Sequence, residues 1–237
     1  MNNITRKDFI KPLPVFSSTY FIIHQLLNLS VTNSNTTYHW KGYNKFYLLF
    51  LRYKTFFINL EFTYYLLRKS LNVVENVIKQ HGKILIINPE DSKLAYKIPQ
   101  HYYITNRWVG GTLTNWRYIY RLILKLITVN ITKLEKQEKK IKQFTKLKRL
   151  HTYIQGIKHM INIPELVVVL NCDSYPYAIS EAYRLDLLII GVISNLTKAN
   201  KITYPIPGNS DLLRVRIFYI NMIRFIVENA IKNNMPK

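Results

Sequence analysis

Apolar positions along the chain follow two rhythms. Four short stretches are continuously apolar: Ile84-Leu85-Ile86-Ile87 after Lys83, Tyr102-Tyr103-Ile104, Leu166 to Leu170, and Leu188 to Ile193. Runs of that length and continuity suit strands buried on both faces, as in parallel sheets. Helical spacing separates them. From Glu61 to Gln80 a broad apolar face (Leu66, Leu67, Leu71, Val73, Val74, Val77, Ile78) opposes a polar stripe of Arg68, Asn72, Glu75 and Lys79, and Gly82 is placed to close the helix. Ala178 to Leu185 reads as a short helix. Asp211 to Lys232 reads as a long one, apolar on most sides, with Ser210 as its N-cap. Helices between parallel strands require right-handed crossovers and predict a three-layer α/β/α sandwich.

Three segments depart from that alternation. Residues 1–40 read as an irregular N-terminal extension, with a loop at Asn33 to Thr37. The apolar runs 46–51 and 55–60 flank Arg52-Tyr53-Lys54 and predict a β-hairpin with a basic tip. From 117 to 160 there is no strand signal and no proline. Ile127, Ile131, Leu134 and Ile141, then Phe144, Leu147, Leu150 and Ile154, predict two helices folded as a protruding, coiled-coil-like hairpin. The globular domain is then 41–116 with 161–232, and 233–237 form a tail. No stretch of ~18 clean apolar residues exists to span a membrane; Phe46 to Leu60 and Ile119 to Ile131 are each interrupted by two basic residues.

Charge changes the picture. The chain of 237 residues carries 34 Lys and Arg against 13 Asp and Glu, a formal charge of +21. Such a surplus repels itself unless a polyanion cancels it. Nucleic acid is the first partner to consider, an anionic membrane surface the second, and a merely basic enzyme the third. Between Lys133 and Arg149 the charge run is lopsided, with Glu135 and Glu138 the only acids, which favours a phosphate-facing surface over a solvated helix face. The single cysteine, Cys172, excludes a disulfide framework or a multi-cysteine metal site. With 18 Tyr, 11 Phe, abundant Asn, Ile and Lys and only 7 Gly, the composition follows A/T-rich codons, as in an organellar gene. Pro12 and Pro14 interrupt the amphipathic helix that a transit peptide needs, which favours synthesis inside the organelle.

Enzyme signals fail. Neither a G-x-G-x-x-G nor a phosphate-binding P-loop pattern follows a strand. The turn Asn88-Pro89-Glu90-Asp91 is acidic and would repel pyrophosphate. The six histidines show no ligand spacing, so no metal or cofactor is expected, and Cys172 reads as a small apolar residue at a strand end. A nucleotide-dependent enzyme on the same fold remains the alternative.

The informative constellation is Arg107-Trp108-Val109-Gly110-Gly111-Thr112-Leu113-Thr114-Asn115-Trp116-Arg117, which follows a strand and opens a helix. The paired glycines let another backbone or a phosphate approach. Thr112 or Thr114 can cap the helix, whose free N–H groups would form an anion site flanked by Arg107 and Arg117. Trp108 and Trp116 read as core packing, with stacking on bases as the other option. The candidate RNA-binding set is Lys41, Lys45, Arg52, Lys54, Arg107, Trp108, Gly110, Gly111, Thr112, Thr114, Asn115, Trp116, Arg117, Lys139, Lys140, Lys142, Lys146 and Lys148.

This constellation resembles the first signature of the family of protein two of the small ribosomal subunit, in its bacterial and organellar form. Pro164 to Val169 with Glu181-Ala182 resembles the second signature. Tyr204-Pro205-Ile206-Pro207-Gly208-Asn209-Ser210-Asp211 with Arg214 resembles the turn before the last helix. The resemblance implies a flavodoxin-like α/β/α domain with a helical hairpin. It also implies a structural, RNA-bound role near the junction of head and body, with small-subunit ribosomal RNA and neighbouring head and body proteins as partners, no catalytic activity and no free homo-oligomer. The Tyr-Pro-Ile-Pro-Gly-Asn wording and the residue bias favour a mitochondrial over a plastid ribosome. The chain departs from the pattern at Phe21-Ile22-Ile23-His24, at Asp186-Leu187-Leu188, and at Ser194 to Ala199. There an acidic turn is replaced, so a hard cation would lose its carboxylate ligands.

Overall fold

The structure, a computed structural model, describes residues 19–31, 33–34, 46–52, 55–88, 101–105, 107–128, 153, 155–194 and 197–234. In chain order the elements are α1 (Thr19–Asn28), β1 (Asn33–Ser34), β2 (Leu48–Arg52), β3 (Thr55–Ile58), α2 (Leu60–Lys79), β4 (Ile84–Ile87), β5 (Tyr102–Ile104), α3 (Trp116–Thr128), β6 (Leu166–Val169), α4 (Pro176–Arg184), β7 (Leu188–Ile193), a 3-10 turn (Ala199–Lys201), β8 (Tyr204–Pro207) and α5 (Leu213–Asn234).

The four apolar runs are four strands of a five-stranded parallel sheet ordered β5-β4-β6-β7-β8. This is the order of flavodoxin-like, doubly wound sheets. Successive side chains alternate between faces, and here both faces are covered. Ile84, Ile86, Leu166, Val168, Ile190 and Val192 pack with α1, α2 and α5. Leu85, Ile87, Val167, Val169, Ile189 and Ile193 pack with α3, α4 and the segment around Ile157 and Met160. The three-layer α/β sandwich expected from the runs is therefore present.

Several local readings need correction. Residues 19–28 form a helix rather than an irregular extension. Ile22, Leu26 and Leu29 lie at helical spacing and are buried in the first core. Asn33–Ser34, expected in a loop, pair with β3, so the predicted hairpin becomes a three-stranded antiparallel sheet. Tyr204–Pro207, read only as a proline turn, is the edge strand β8. Proline is tolerated there because one side of an edge needs no ladder donor. The Thr63 hydroxyl fixes that edge to α2 by donating to the Pro207 carbonyl at 2.8 Å. Ser210 does not cap the last helix. The helix starts at Leu213, and the buried Ser210 hydroxyl has no hydrogen-bond partner among the described residues.

Helix α3 occupies the start of the segment read as a helical hairpin. Residues 129–152 and 154, on which the rest of that reading falls, lie outside the described residues. The chain then packs against the outer edge of β5. Gly156 accepts from the Tyr103 N–H at 3.2 Å, and a Cβ at Gly156 would lie 1.9 Å from the Tyr103 carbonyl oxygen. Only glycine permits that approach.

His101, just before β5, accepts the Ile84 N–H on Nδ1 at 3.3 Å, while its Nε2 is buried without a partner among the described residues. Burial, and then the Lys83 ammonium, push its imidazole down to about 4. The folded state therefore holds His101 neutral, whereas the unfolded chain takes up a proton near pH 6.5. The resulting stabilisation is complete above about pH 6.5 and is lost as pH falls towards 4. We expect the urea midpoint of the isolated chain to drop between about pH 6.5 and about pH 5, and His101→Asn to lack that drop. A parallel drop in the variant would contradict this assignment.

Candidate nucleic-acid interface

The segment 107–115 leaves β5 and turns into α3. Gly111 adopts φ +86°, a left-handed conformation open to glycine, and its carbonyl accepts the Asn115 N–H at 2.8 Å. Thr112 is buried, and its hydroxyl meets the Val109 carbonyl and the Tyr153 hydroxyl. Burial dominates at Tyr153 and pushes its phenol up to about 12, so it stays protonated at neutral pH.

The centre of this arrangement is Glu181, on the facing helix α4 and only 7% exposed. Its Oε1 accepts from the Trp108 indole N–H at 2.9 Å and the Gly111 N–H at 2.8 Å. Its Oε2 accepts from the N–H groups of Leu113 at 3.0 Å and Thr114 at 3.3 Å, and from the Thr114 hydroxyl at 3.3 Å. The amides that were expected to stay free for a phosphate thus already hold an anion, supplied by the chain itself. The physics of an anion at a helix start is as expected; the occupant is internal.

The candidate set divides accordingly. Trp108 and Trp116 are 8% and 7% exposed, and the Trp116 indole donates to the Ile161 carbonyl at 2.9 Å. Their role is core packing, and base stacking by these rings is excluded by burial. Thr112 likewise faces inward. Arg107, Gly110, Thr114, Asn115 and Arg117 are exposed on the outer side of the same loop, with Gly111 half-buried. Neither arginine meets a carboxylate among the described residues. The side chain of Arg52, and all of Lys41, Lys45, Lys54, Lys139, Lys140, Lys142, Lys146 and Lys148, lie outside the described residues.

Nothing about the site suggests covalent chemistry. The Cys172 thiol is fully buried, and burial, with Asp173 beside it, pushes its pKa well up. Among the described residues no group of three or more His, Cys, Asp or Glu side chains could hold a metal ion.

Residues 26–231 match the family model described as ribosomal protein S2. The chain belongs to this family. The match runs from the end of α1 to the last turns of α5 and so takes in both sheets. A small ribosomal subunit protein uS2 of Gluconobacter oxydans is 30% identical over 224 residues, covering 89% of this chain and 83% of its own. One from Rickettsia bellii is 30% identical, covering 90% and 77%. One from Ehrlichia ruminantium is 28% identical, covering 92% and 79%. The S2 family consists of structural ribosomal proteins, not enzymes. In the sequence, Glu181 stands out only as part of the second signature. The one further signal is that it is the sole carboxylate in the helix Pro176–Arg184.

A carboxamide at position 181 would present its NH₂ to donors that need an acceptor. Each buried donor so orphaned costs about 1–3 kcal/mol. Glu181→Gln should therefore destabilise the chain by about 3 kcal/mol. It should also speed hydrogen exchange at the amides of Gly111, Leu113 and Thr114 before those of α5. Unchanged protection at these three amides would show that the carboxylate does not hold the loop.

Proposed function

We propose that this protein is a structural constituent of the small subunit of an organellar, mitochondrial ribosome, and that it binds small-subunit ribosomal RNA beside neighbouring head and body proteins. The observation that carries the reading is the pairing of family membership with a +21 charge. The exposed arginines of the signature loop meet no acid among the described residues. The mitochondrial part rests on the A/T-biased composition and on the Tyr204 to Asn209 wording.

In this reading the sandwich is a rigid block, and the loop is its positioned contact. Arg107 and Arg117 supply cations held in place by a backbone that Glu181 fixes from behind. Gly110 leaves room: it is exposed, and a Cβ there would meet nothing within 4 Å. RNA can therefore approach the main chain closely. Recognition is of phosphate position and shape rather than base identity. Lys41, Lys45, Arg52 and Lys54 extend the proposed interface by charge, as do Lys139, Lys140, Lys142, Lys146 and Lys148.

Sedimentation tests the assignment directly. The native protein should run with the small ribosomal subunit of mitochondria at moderate salt and be released as salt rises; absence from that particle would overturn it. Arg107→Ala and Arg117→Ala should each lower the slope of log K against log salt by about 1, with an unchanged unfolding midpoint. An unaltered slope would remove these side chains from the contact.

Gly110→Val provides a steric test without a folding cost, because its side chain points into open space. Incorporation into the subunit should fall severalfold at normal chain stability. Full incorporation would show that nothing approaches the loop there.

A further inference from the structure

A second basic feature lies on a different pair of loops, beyond the carboxyl ends of β6 and β7. Residues that follow these strands line an open cavity of about 260 Å³. Cys172 and Ile179 are apolar lining residues, Ser180 and Thr197 are hydroxyl-bearing ones, and Lys198 and Lys201 are the basic ones. In parallel sheets this end of the strands is the usual place for ligands.

The charges sort in a definite way. Asp173 also lines the cavity, but both of its carboxylate oxygens are engaged by hydroxyls. Oδ1 accepts from Thr197 at 2.7 Å, and Oδ2 accepts from Ser194. Neither lysine is paired with it or with any other carboxylate among the described residues. Lys198 precedes the 3-10 turn and Lys201 ends it. Both residues line the same cavity. The Lys201 ammonium is steered by donating to the Ser180 hydroxyl at 3.2 Å. Two cations against one hydroxyl-saturated acid leave the cavity net positive, which repels a metal ion and attracts a monoanion. The first turn of α4, which has no side-chain cap at Tyr175, adds its dipole in the same sense.

Size narrows the ligand. The cavity falls just below the range of roughly 300–1,000 Å³ usual for small-molecule sites. It suits a phosphate with part of a sugar better than a whole dinucleotide. We propose that the cavity between the β6 and β7 loops seats one backbone phosphate of ribosomal RNA, gripped by Lys198 and Lys201. This rests on the ribosomal reading above and adds a second anchoring point to it, on a different loop pair from Arg107 and Arg117.

The test compares binding of the full chain to small subunits stripped of this protein, titrated with salt. Lys198→Ala with Lys201→Ala should weaken binding about tenfold at moderate salt and lower the salt slope by about 1, the value of one phosphate contact. Lys198→Arg with Lys201→Arg should restore both. Ser180→Ala, which removes only the steering hydroxyl, should give a smaller loss in the same direction. It also keeps the test open should the double alanine variant fold poorly. Unchanged slope and affinity in the alanine variants, with the wild-type chain binding normally, would overturn this site while leaving the ribosomal role intact. Failure of the wild-type chain to bind stripped subunits would overturn the ribosomal role itself. A competition arm with adenosine monophosphate and inorganic phosphate at millimolar concentration separates sources. Saturable uptake of the mononucleotide, abolished in the alanine variant and without effect on RNA binding, would assign the cavity to a free nucleotide and overturn the RNA assignment.

Discussion

Glu181 gathers the donors of Trp108, Gly111, Leu113 and Thr114 onto one buried carboxylate, and the geometry of the signature loop depends on that gathering. A carboxylate taken out of water without partners is strongly unfavourable. Here N–H dipoles and an indole replace the lost hydration, and the charge suits the start of a helix. The interaction joins α4 to the α3 loop across about 70 residues of chain and so ties two elements on one face of the sheet. It also decides which way the loop faces. With the N–H groups turned towards Glu181, the side left for a partner consists of Arg107, Gly110, Thr114, Asn115 and Arg117. An exposed loop with unsatisfied amides would bind an anion by adjusting to it. This one presents cations from a backbone that is already satisfied, which lowers the ordering cost of association.

What was readable in the sequence follows from range. The central strands could be read because burial on both faces leaves no polar position in Ile84–Ile87 or Leu166–Val169, and so short and continuous an apolar run fits the interior of a parallel sheet better than an amphipathic helix. Helix α2 could be read because its apolar stripe and polar stripe are both long. The failures are elements whose support is tertiary. Helix α1 has only ten residues, too few to be stable alone, and its Ile22 and Leu26 gain their meaning from the core they enter. Strand β8 contains two prolines and is a strand because it occupies an edge beside β7 and α2. At the signature loop, the glycines, arginines and tryptophans carried local signals. The glutamate that organises them did not, because an acid in the middle of a helix has no local mark of its distant donors.

The distribution of acids shows how so basic a chain can keep its cations available. Glu181 is turned to backbone N–H groups. Glu165 accepts the Lys83 N–H at 2.6 Å, joining the starts of β4 and β6. Asp173 is bound by the hydroxyls of Ser194 and Thr197. These three carboxylates serve as acceptors within the fold rather than as counterions. Glu75 with Lys79, and Glu228 with Arg224, are ion pairs between neighbours one helical turn apart, a class that contributes little at an exposed surface. Among the described residues, three acids that could have cancelled surface lysines and arginines, Glu165, Asp173 and Glu181, are thus committed to holding loops.

This division has a consequence for how the protein and a polyanion meet. Cations paired with surface carboxylates would have to exchange one partner for another, and the gain on binding RNA would be reduced by the pairs lost. Cations without internal partners exchange only water and mobile ions, so counterion release from the polyanion appears in full in the binding free energy. Among the described residues, cations that meet no carboxylate, such as Arg107 and Arg117, also leave the free chain under its own repulsion. The interior offsets this by covering both faces of the sheet, so that the fold's rigidity comes from apolar layers and buried hydrogen bonds rather than from surface charge. Stability is in this way carried by residues other than the surface cations: in the proposed interface, Arg107, Arg117, Lys198 and Lys201 lie outside the buried core and can be changed without touching it.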